Sequence, residues 1–464
     1  MRIFLKVFLC FSMLHAWASP ASPRQNFDVI VVGAGAAGLH TAGILKARGL
    51  NVLCLEARDR VGGRVFSQPI GEGQFIELGA QWMAFEGQHR LQRLVVESGI
   101  KAQTHPPSGK DLALSRGSVR TLKPGALDMS LLAQLDTLQV YLRLKRILRR
   151  VSVAEPWRSA DFDQISAADW FQSAAWTKES RDFWTHVIDQ EMCCDSRAFS
   201  MLELAQNMAT AGKVERLDRA EHFYFPQGLG TILQKMAADL GHRLKTGERV
   251  LSVSENENLV AVTTGKDTYF AKYVVLAIPP QLMGDLGISE RLGGVADRML
   301  EGQAVKMIAV YDSPWWRSKG FSGKVISRDG LLDLVVDSSF DDTGKGILVG
   351  LISGPRSQGI IQSSLDDKRE IFKKHIHSAF GEWREPLQFY SHDWNSDEFT
   401  RGGYASHRPL GEWVESQGAL IQPSGRLMFA GTETAREWRG FIEGALESAE
   451  RAAAECESLL NQGE

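Results

Sequence analysis

The 464-residue chain has 53 basic and 56 acidic side chains, a formal net charge of −3, and 44% apolar against 23% charged residues. This is ordinary globular composition, long enough for two domains sharing a sizeable core, and it excludes a disordered chain. The balanced charge leaves no basic stripe for a nucleic acid, so the expected partner is a small molecule.

Residues 1–18 read as a signal peptide. Arg2 and Lys6 supply the positive start, 7–14 is apolar, and Ala16-Trp17-Ala18 has the small-x-small form of a cleavage site. The apolar run is shorter than the roughly 20 residues of a spanning helix. Export to the periplasm or outside the cell is therefore expected, with no membrane span in the mature chain. No twin-arginine pair precedes the run, so the ordinary secretory route is expected and any cofactor would be acquired after translocation. Of five cysteines, Cys10 falls in this leader and Cys54 sits mid-strand, where a buried free thiol is the plain reading. Adjacent Cys193 and Cys194 read as free thiols, with a vicinal bridge as the alternative. The lack of C-x-x-C argues against a disulfide reductase.

The apolar, β-branched run 27–32 leads into Gly33-Ala34-Gly35-Ala36-Ala37-Gly38 and a helix through Arg48, and a second run, 51–55, ends at Glu56. The change from strand to helix periodicity and back makes this a βαβ unit. Residues 85–224 carry mainly helical patterning, including 131–151. A weaker strand pair is expected at 249–253 and 260–264, then a buried strand at 273–278 ended by Pro279-Pro280. From Ala304 onward, segments such as 305–311 and 347–352 predict an antiparallel sheet. The fold class is α/β within an α+β whole. A Rossmann-type dinucleotide-binding domain drawn from 26–85, 225–285 and 400–464 is interleaved with a mixed helix and antiparallel-sheet substrate domain at 86–224 and 286–399.

A bare G-x-G-x-x-G is weak evidence, but here it follows a strand, opens a helix, and is succeeded by an acid at the end of the next strand. Gly33 permits the tight turn, Gly35 lets backbone approach a pyrophosphate beside Ala37, and Gly38 lets helix pack on strand. The helix start then offers free N–H groups and a positive dipole end to phosphates. Glu56 is expected to accept hydrogen bonds from ribose hydroxyls.

The run Ala57-Arg58-Asp59-Arg60-Val61-Gly62-Gly63-Arg64 and the later Phe429-Ala430-Gly431-Thr432-Glu433-Thr434 resemble the flavin amine oxidase superfamily, which includes monoamine, polyamine and L-amino-acid oxidases. The resemblance spans nearly the whole mature chain. It implies FAD as the dinucleotide, with Ala57, Arg58, Gly63 and Arg64 in the segment whose amides and guanidinium donors meet the phosphates. It also implies that Glu77-Leu78-Gly79-Ala80-Gln81-Trp82 passes the flavin and that Val250 contacts adenine. No second glycine motif follows a strand, so the substrate itself must reduce the flavin.

Lys306 lies in an apolar strand, where a lysine is costly unless its ammonium reaches a polar pocket or snorkels from a sheet edge. The strand alone leaves both readings open. The following Asp312-Ser313-Pro314-Trp315-Trp316 resembles the family segment whose lysine holds a water at flavin N5. Trp394 stands ten residues before Tyr404, a spacing like that of monoamine oxidases. There the Trp packs by the flavin and the Tyr walls an aromatic cage whose second wall falls here at Phe441. Two such rings would steer an amine nitrogen. The helix beginning at Ile442 would point its N-terminus at flavin N1. Covalently flavinylated monoamine oxidases have cysteine where this chain has Gly403, so the resemblance implies non-covalent FAD.

The implied chemistry is hydride transfer from a neutral primary or secondary amine to flavin N5, with O2 reduced to hydrogen peroxide. No metal-ligand spacing is evident. An L-amino-acid oxidase would need an arginine for the substrate carboxylate near Gly79, where this chain has Gln81-Trp82-Met83. A polyamine would need acids in the pocket, for which Asp189 and Glu191 are the candidates. An amine dehydrogenase passing electrons to a carrier protein such as a cytochrome, or to a quinone, stays open, as does a non-catalytic FAD-binding protein. Oligomeric state is not legible.

Overall fold

Alternation along the first strand decides the layering. In Asn26–Val32 (β1) the side chains of Val29 and Val31 enter one apolar cluster and those of Ile30 and Val32 another, none more than 5% exposed. A strand buried on both faces needs cover on both. On one side Ala36–Ala47 (α1) and the C-terminal helix Ile442–Gln462 bring Leu39, Leu45, Leu446 and Ala453 against Val29 and Val31. On the other, Met283, Leu286 and Leu420 close over Ile30 and Val32. The computed structural model describes residues 26–105, 108–115, 117–122, 127–256, 258–328 and 330–462. The expected leader at 1–18, with Cys10, lies outside the described residues.

Hydrogen-bonded neighbours in this first sheet run Val250–Glu255, Val260–Thr264, Thr268–Leu276, β1, Val52–Leu55 (β2) and Leu244–Lys245. Leu427–Phe429 joins beside Thr268–Leu276. β1 is parallel to both its neighbours, whereas Val250–Glu255 and Val260–Thr264 form an antiparallel pair. Three separated stretches thus supply one sheet. The strand read at 273–278 starts earlier, at Thr268, because its first half pairs with Val260–Thr264 before its second half meets Leu427–Phe429.

The second sheet runs Gln388–Asp393, Ala304–Tyr311, Gly346–Ser353, Leu334–Asp337, Phe321–Ser327, Lys110–Ser115 and Ser118–Leu122. All its pairings are antiparallel except that of Phe321–Ser327 with Lys110–Ser115. Ala304–Tyr311 has a neighbour on each side, so Lys306 is not on an edge and the snorkelling reading fails. Parity then aims it. Val305, Met307 and Ala309 pack on Phe372 and Ile376 of the helix Leu365–Phe380, while Ile308 and Val310 face Ile76 and Leu78. Lys306 shares that second face, toward the chain at 76–79.

Between the sheets' strands lie the helices Leu131–Leu148, Ala167–Ala174, Lys178–Glu191 and Met201–Ala209. Ser130, Ser166, Thr177 and Ser200 each accept a hydrogen bond from the backbone N–H three residues on, at 3.3, 3.0, 3.2 and 3.1 Å. Each such cap contributes about 1 kcal/mol. The hairpin Lys110–Ser115/Ser118–Leu122 within this stretch departs from the helical expectation, because a pairing partner 211 residues away draws it into the second sheet. Cys54, Cys193, Cys194 and Cys456 are buried free thiols. Among the described residues no helix is long and apolar enough to cross a membrane.

The turn after β1 is built without slack. A Cβ on Gly38 would lie 1.8 Å from the Gly33 carbonyl oxygen, and one on Gly33, at φ +99°, 2.6 Å from that of Ala277. Gly38→Ala is therefore expected to lower stability by about 3 kcal/mol, the upper end for overpacking, read as a fall in Tm by circular dichroism. An unchanged Tm would show that the turn has room.

Candidate active site

A cavity of about 690 Å³ opens where the two sheets and the helices meet. Its polar part begins at the turn after β1. α1 starts at Ala36 behind Gly35, which offers no side-chain cap, so its first N–H groups remain for a ligand. Gly62 donates to the Ala34 carbonyl at 2.9 Å and Gly35 bridges Gly62, so the two glycine segments form one cradle. Gly33, Gly35, Ala37, Ala57, Gly63 and Val250 all border the cavity, whereas Gly38 packs behind the turn. Glu56 accepts from the Ala34 N–H at 2.7 Å and the Arg58 N–H at 3.0 Å. A carboxylate has about four lone-pair sites, so acceptor capacity remains for hydroxyls. Narrow turns that a Cβ would fill, a helix start and an acid at the end of β2 are the features that a dinucleotide cradle requires.

Arg58 and Arg64, expected to meet the phosphates, are also clamps within the protein. Arg64 donates to both Glu433 oxygens at 2.6 and 3.0 Å and to the Tyr404 carbonyl at 2.7 Å. Arg58 donates to Asp397 and, at 2.8 Å, to Thr400. Both still border the cavity, while Glu433 lies behind Arg64. Gly431 donates to Ser448 at 2.9 Å, and the Thr432 hydroxyl accepts from Gly440 N–H at 2.7 Å and donates to the Phe441 carbonyl at 3.0 Å. These bonds set the entry to the C-terminal helix, with Phe441 and Ile442 at the cavity wall.

Lys306 is 6% exposed and its Nζ donates to the Gly79 carbonyl at 3.0 Å, above the Trp82 ring at 5.4 Å. Burial pushes its pKa down, opposed by the carboxylates of Glu77 and Glu221. Burial pushes Glu77 up, opposed by the Leu229 N–H, the Ser67 hydroxyl and Lys306. The result is a buried pair in which the lysine gives up its proton more readily than usual. Trp394 donates from Nε1 to the Leu78 carbonyl at 3.0 Å, so both Lys306 and Trp394 hold the segment 77–82. Ala80 donates to the Arg64 carbonyl at 3.0 Å, and a Cβ on Gly79 would meet that oxygen at 2.0 Å. Gln81 donates to Ser338 at 2.8 Å.

Tyr404 is 45% exposed, yet that surface opens onto the cavity rather than the outside, and burial raises its pKa so that the phenol stays neutral. Phe441 lines the same cavity and makes an edge contact with Trp438, centroids 5.2 Å apart. Among the described residues the two rings make no contact with each other. The support beneath Phe441 was missed in the sequence. Arg439 donates to both oxygens of Glu203 and at 3.0 Å to Gln206, and Trp413 and His407 bond the same carboxylate at 2.9 and 3.2 Å. Burial would raise Glu203, but Arg439 and His407 hold it far below the carboxylate range. One signal was available: a lone acid in the apolar run Met201-Leu202-Glu203-Leu204 and a lone arginine in Trp438-Arg439-Gly440-Phe441.

The remaining wall comes from helices: Tyr141 and Leu144, Phe183 and Ile188, Leu204 and Met208. Two carboxylates interrupt this apolar lining, Glu191 and Glu221. Asp189, the other acid considered for a polyamine, does not line it, because its Oδ1 accepts from the Ser196 N–H at 2.7 Å.

Residues 36–456 match the sequence signature of the flavin-containing amine oxidoreductases. A Mycobacterium tuberculosis protein whose name places it among flavin-containing monoamine oxidases is 31% identical, covering 95% of this chain and 98% of its own length. An L-amino acid dehydrogenase of Synechocystis is 27% identical over 95% and 96%. The solved structure of putrescine oxidase with putrescine bound superimposes with a TM-score of 0.87 at 26% identity, over 94% of this chain and all of the other.

Removing one partner of a buried ion pair leaves the other charge uncompensated. Glu203→Gln is accordingly expected to destabilise the protein by about 3 kcal/mol, measured by chemical denaturation. A change within experimental error would show that Arg439 is held by its other partners.

Proposed function

The chain belongs to the flavin-containing amine oxidoreductases, oxidoreductases acting on small amines with a flavin cofactor, and from that premise we propose that it oxidises a simple primary or secondary amine using non-covalent FAD and O2. One observation carries the choice of substrate. Among the described residues, every arginine that borders the cavity is already paired with a carboxylate: Arg58 with Asp397, Arg64 with Glu433, Arg249 with Glu398 and Arg439 with Glu203. Lys306, the one described lysine there, is buried at Gly79. An amino-acid carboxylate would find no uncommitted cation among the described residues, whereas an amine meets aromatic rings, aliphatic walls and acids.

The Gly33–Gly38 turn, the Gly62-Gly63 bridge, Glu56 and the start of α1 fit the dinucleotide. No cysteine borders the cavity among the described residues, which supports non-covalent binding. Bound FAD supplies the hydride acceptor, so that the amine becomes an imine, water hydrolyses it to an aldehyde or ketone, and O2 leaves as hydrogen peroxide. The protein's own part is placement. Tyr404, fixed through its carbonyl by Arg64, and Phe441, fixed by Thr432 and the Arg439–Glu203 pair, border the space where an amine nitrogen is oriented. A substrate with a second ammonium would meet Glu191 or Glu221 on the same cavity wall.

The test is anaerobic mixing with a panel of amines. Bleaching of the flavin by an amine, release of FAD on acid precipitation, and peroxide in air are the expected results. Bleaching only by amino acids would overturn the substrate, and electrons passing to a quinone or cytochrome without peroxide would overturn the oxidant. Tyr404→Ala should slow bleaching more than Tyr404→Phe, which keeps the ring.

Lys306 carries charge only below its depressed pKa. Its ammonium favours electron transfer to O2 by stabilising developing negative charge. Reoxidation by O2 should therefore fall as pH rises through a value below the ordinary lysine range, and Lys306→Met should be slow and flat with pH. Stopped-flow traces in which the variant loses equally in amine reduction and reoxidation would assign Lys306 a structural role.

A further inference from the structure

The helix Leu131–Leu148 has two apolar faces, and only one is covered. On the inner face Val140 and Leu144 are fully buried, and Tyr141 and Leu144 border the cavity. On the outer face Leu131, Leu135, Leu138 and Leu142 recur at helical spacing and are 74, 57, 53 and 48% exposed. Trp176 adds a side chain 64% exposed, its backbone N–H tied to Asp136 of the same helix at 2.9 Å. A contiguous outward stripe of this kind marks an interaction surface.

Charge selects the occupant. Past Leu142 the helix end carries Arg143, Arg146, Arg149 and Arg150, all exposed and none paired with a carboxylate among the described residues. Lys145 differs, being paired with Glu215. In an antiparallel pairing of two copies along the stripe, this basic end would meet the residues before Leu131. The acids there are already engaged, Asp128 with Arg120 and Glu179 with Ser130. A parallel pairing would set arginine against arginine. A row of leucines and an exposed tryptophan, followed at the helix end by exposed arginines with no carboxylate partner among the described residues, instead match the acyl boundary and the phosphates of a bilayer. We propose that this outer face docks the protein peripherally on a membrane surface containing anionic lipids, with the helix Leu131–Leu148 between the lipid and the cavity.

The flavin-loaded full chain is sedimented with phosphatidylcholine vesicles, with and without phosphatidylglycerol. Binding to the anionic vesicles that weakens with salt is expected. Leu135→Gln/Leu138→Gln/Leu142→Gln should reduce it at least about tenfold. Arg146→Gln/Arg149→Gln/Arg150→Gln should reduce it on the order of a hundredfold at low salt and abolish the salt dependence. Both variants should keep the flavin spectrum and amine bleaching of the parent, which shows that they fold. The proposal is overturned if the parent does not sediment, or if the variants bind as the parent does. It is also overturned if ultracentrifugation shows a dimer that the leucine variant dissolves.

Discussion

A charge buried beside a cofactor cavity must be matched, and here each match ties together parts of the chain that are far apart in sequence. Arg64 joins the glycine segment to Glu433 and to the backbone of Tyr404; Arg58 joins it to Asp397 and Thr400; Arg439 joins the entry of the last helix to Glu203. Each guanidinium spends several donors on protein acceptors, which makes these arginines scaffold before they are anything else. The same pairing disposes of the positive charge that an acidic substrate would seek. Structural economy at the cavity wall and the selectivity proposed for simple amines would then have one physical origin.

The second constraint is strand parity. Ala304–Tyr311 is buried on both faces and flanked by a strand on each side, so a lysine on it cannot snorkel out past a sheet edge. Its side chain is sent to the face that meets Ile76 and Leu78, where the Gly79 carbonyl and the Glu77 carboxylate receive it. Trp394 reaches the same segment from the neighbouring strand's end through the Leu78 carbonyl. Residues 77–82 are thereby gripped from the second sheet while their backbone runs along Arg64 of the first unit. The two sheets are coupled at the cavity wall formed by Leu78, Gly79, Lys306 and Trp394.

The helices supply the apolar remainder of the cavity, and their caps and core packing hold that wall without charges. Two acids on this wall, Glu191 and Glu221, stand out from it. Burial raises the Glu221 carboxyl, with Lys324 and Lys306 opposing. An acid whose surface opens onto a cavity favours a cationic group there over an anionic one.

Local physics made the βαβ unit readable. Alternating apolar residues, a glycine turn that a Cβ would block and an acid at the next strand's end are all properties of a few adjacent residues. Lys306 was also conspicuous as one charge in an apolar run. The partners were not readable, because a carboxylate in sequence carries no mark of which arginine it will meet 236 or 369 residues away. For the same reason the hairpin Lys110–Ser115/Ser118–Leu122 has no local mark that separates it from the helical stretch around it; its place is set by pairing with Phe321–Ser327. Asp189 and Glu191, two residues apart, looked equivalent, and only the packed structure sent one into a backbone bond and the other to the cavity. The leucines of 131–142 have the spacing of a core-facing helix, and tertiary contacts alone decide that they face outward. Spacing records which residues share a face; the neighbours that bury that face or leave it open are set by the rest of the chain.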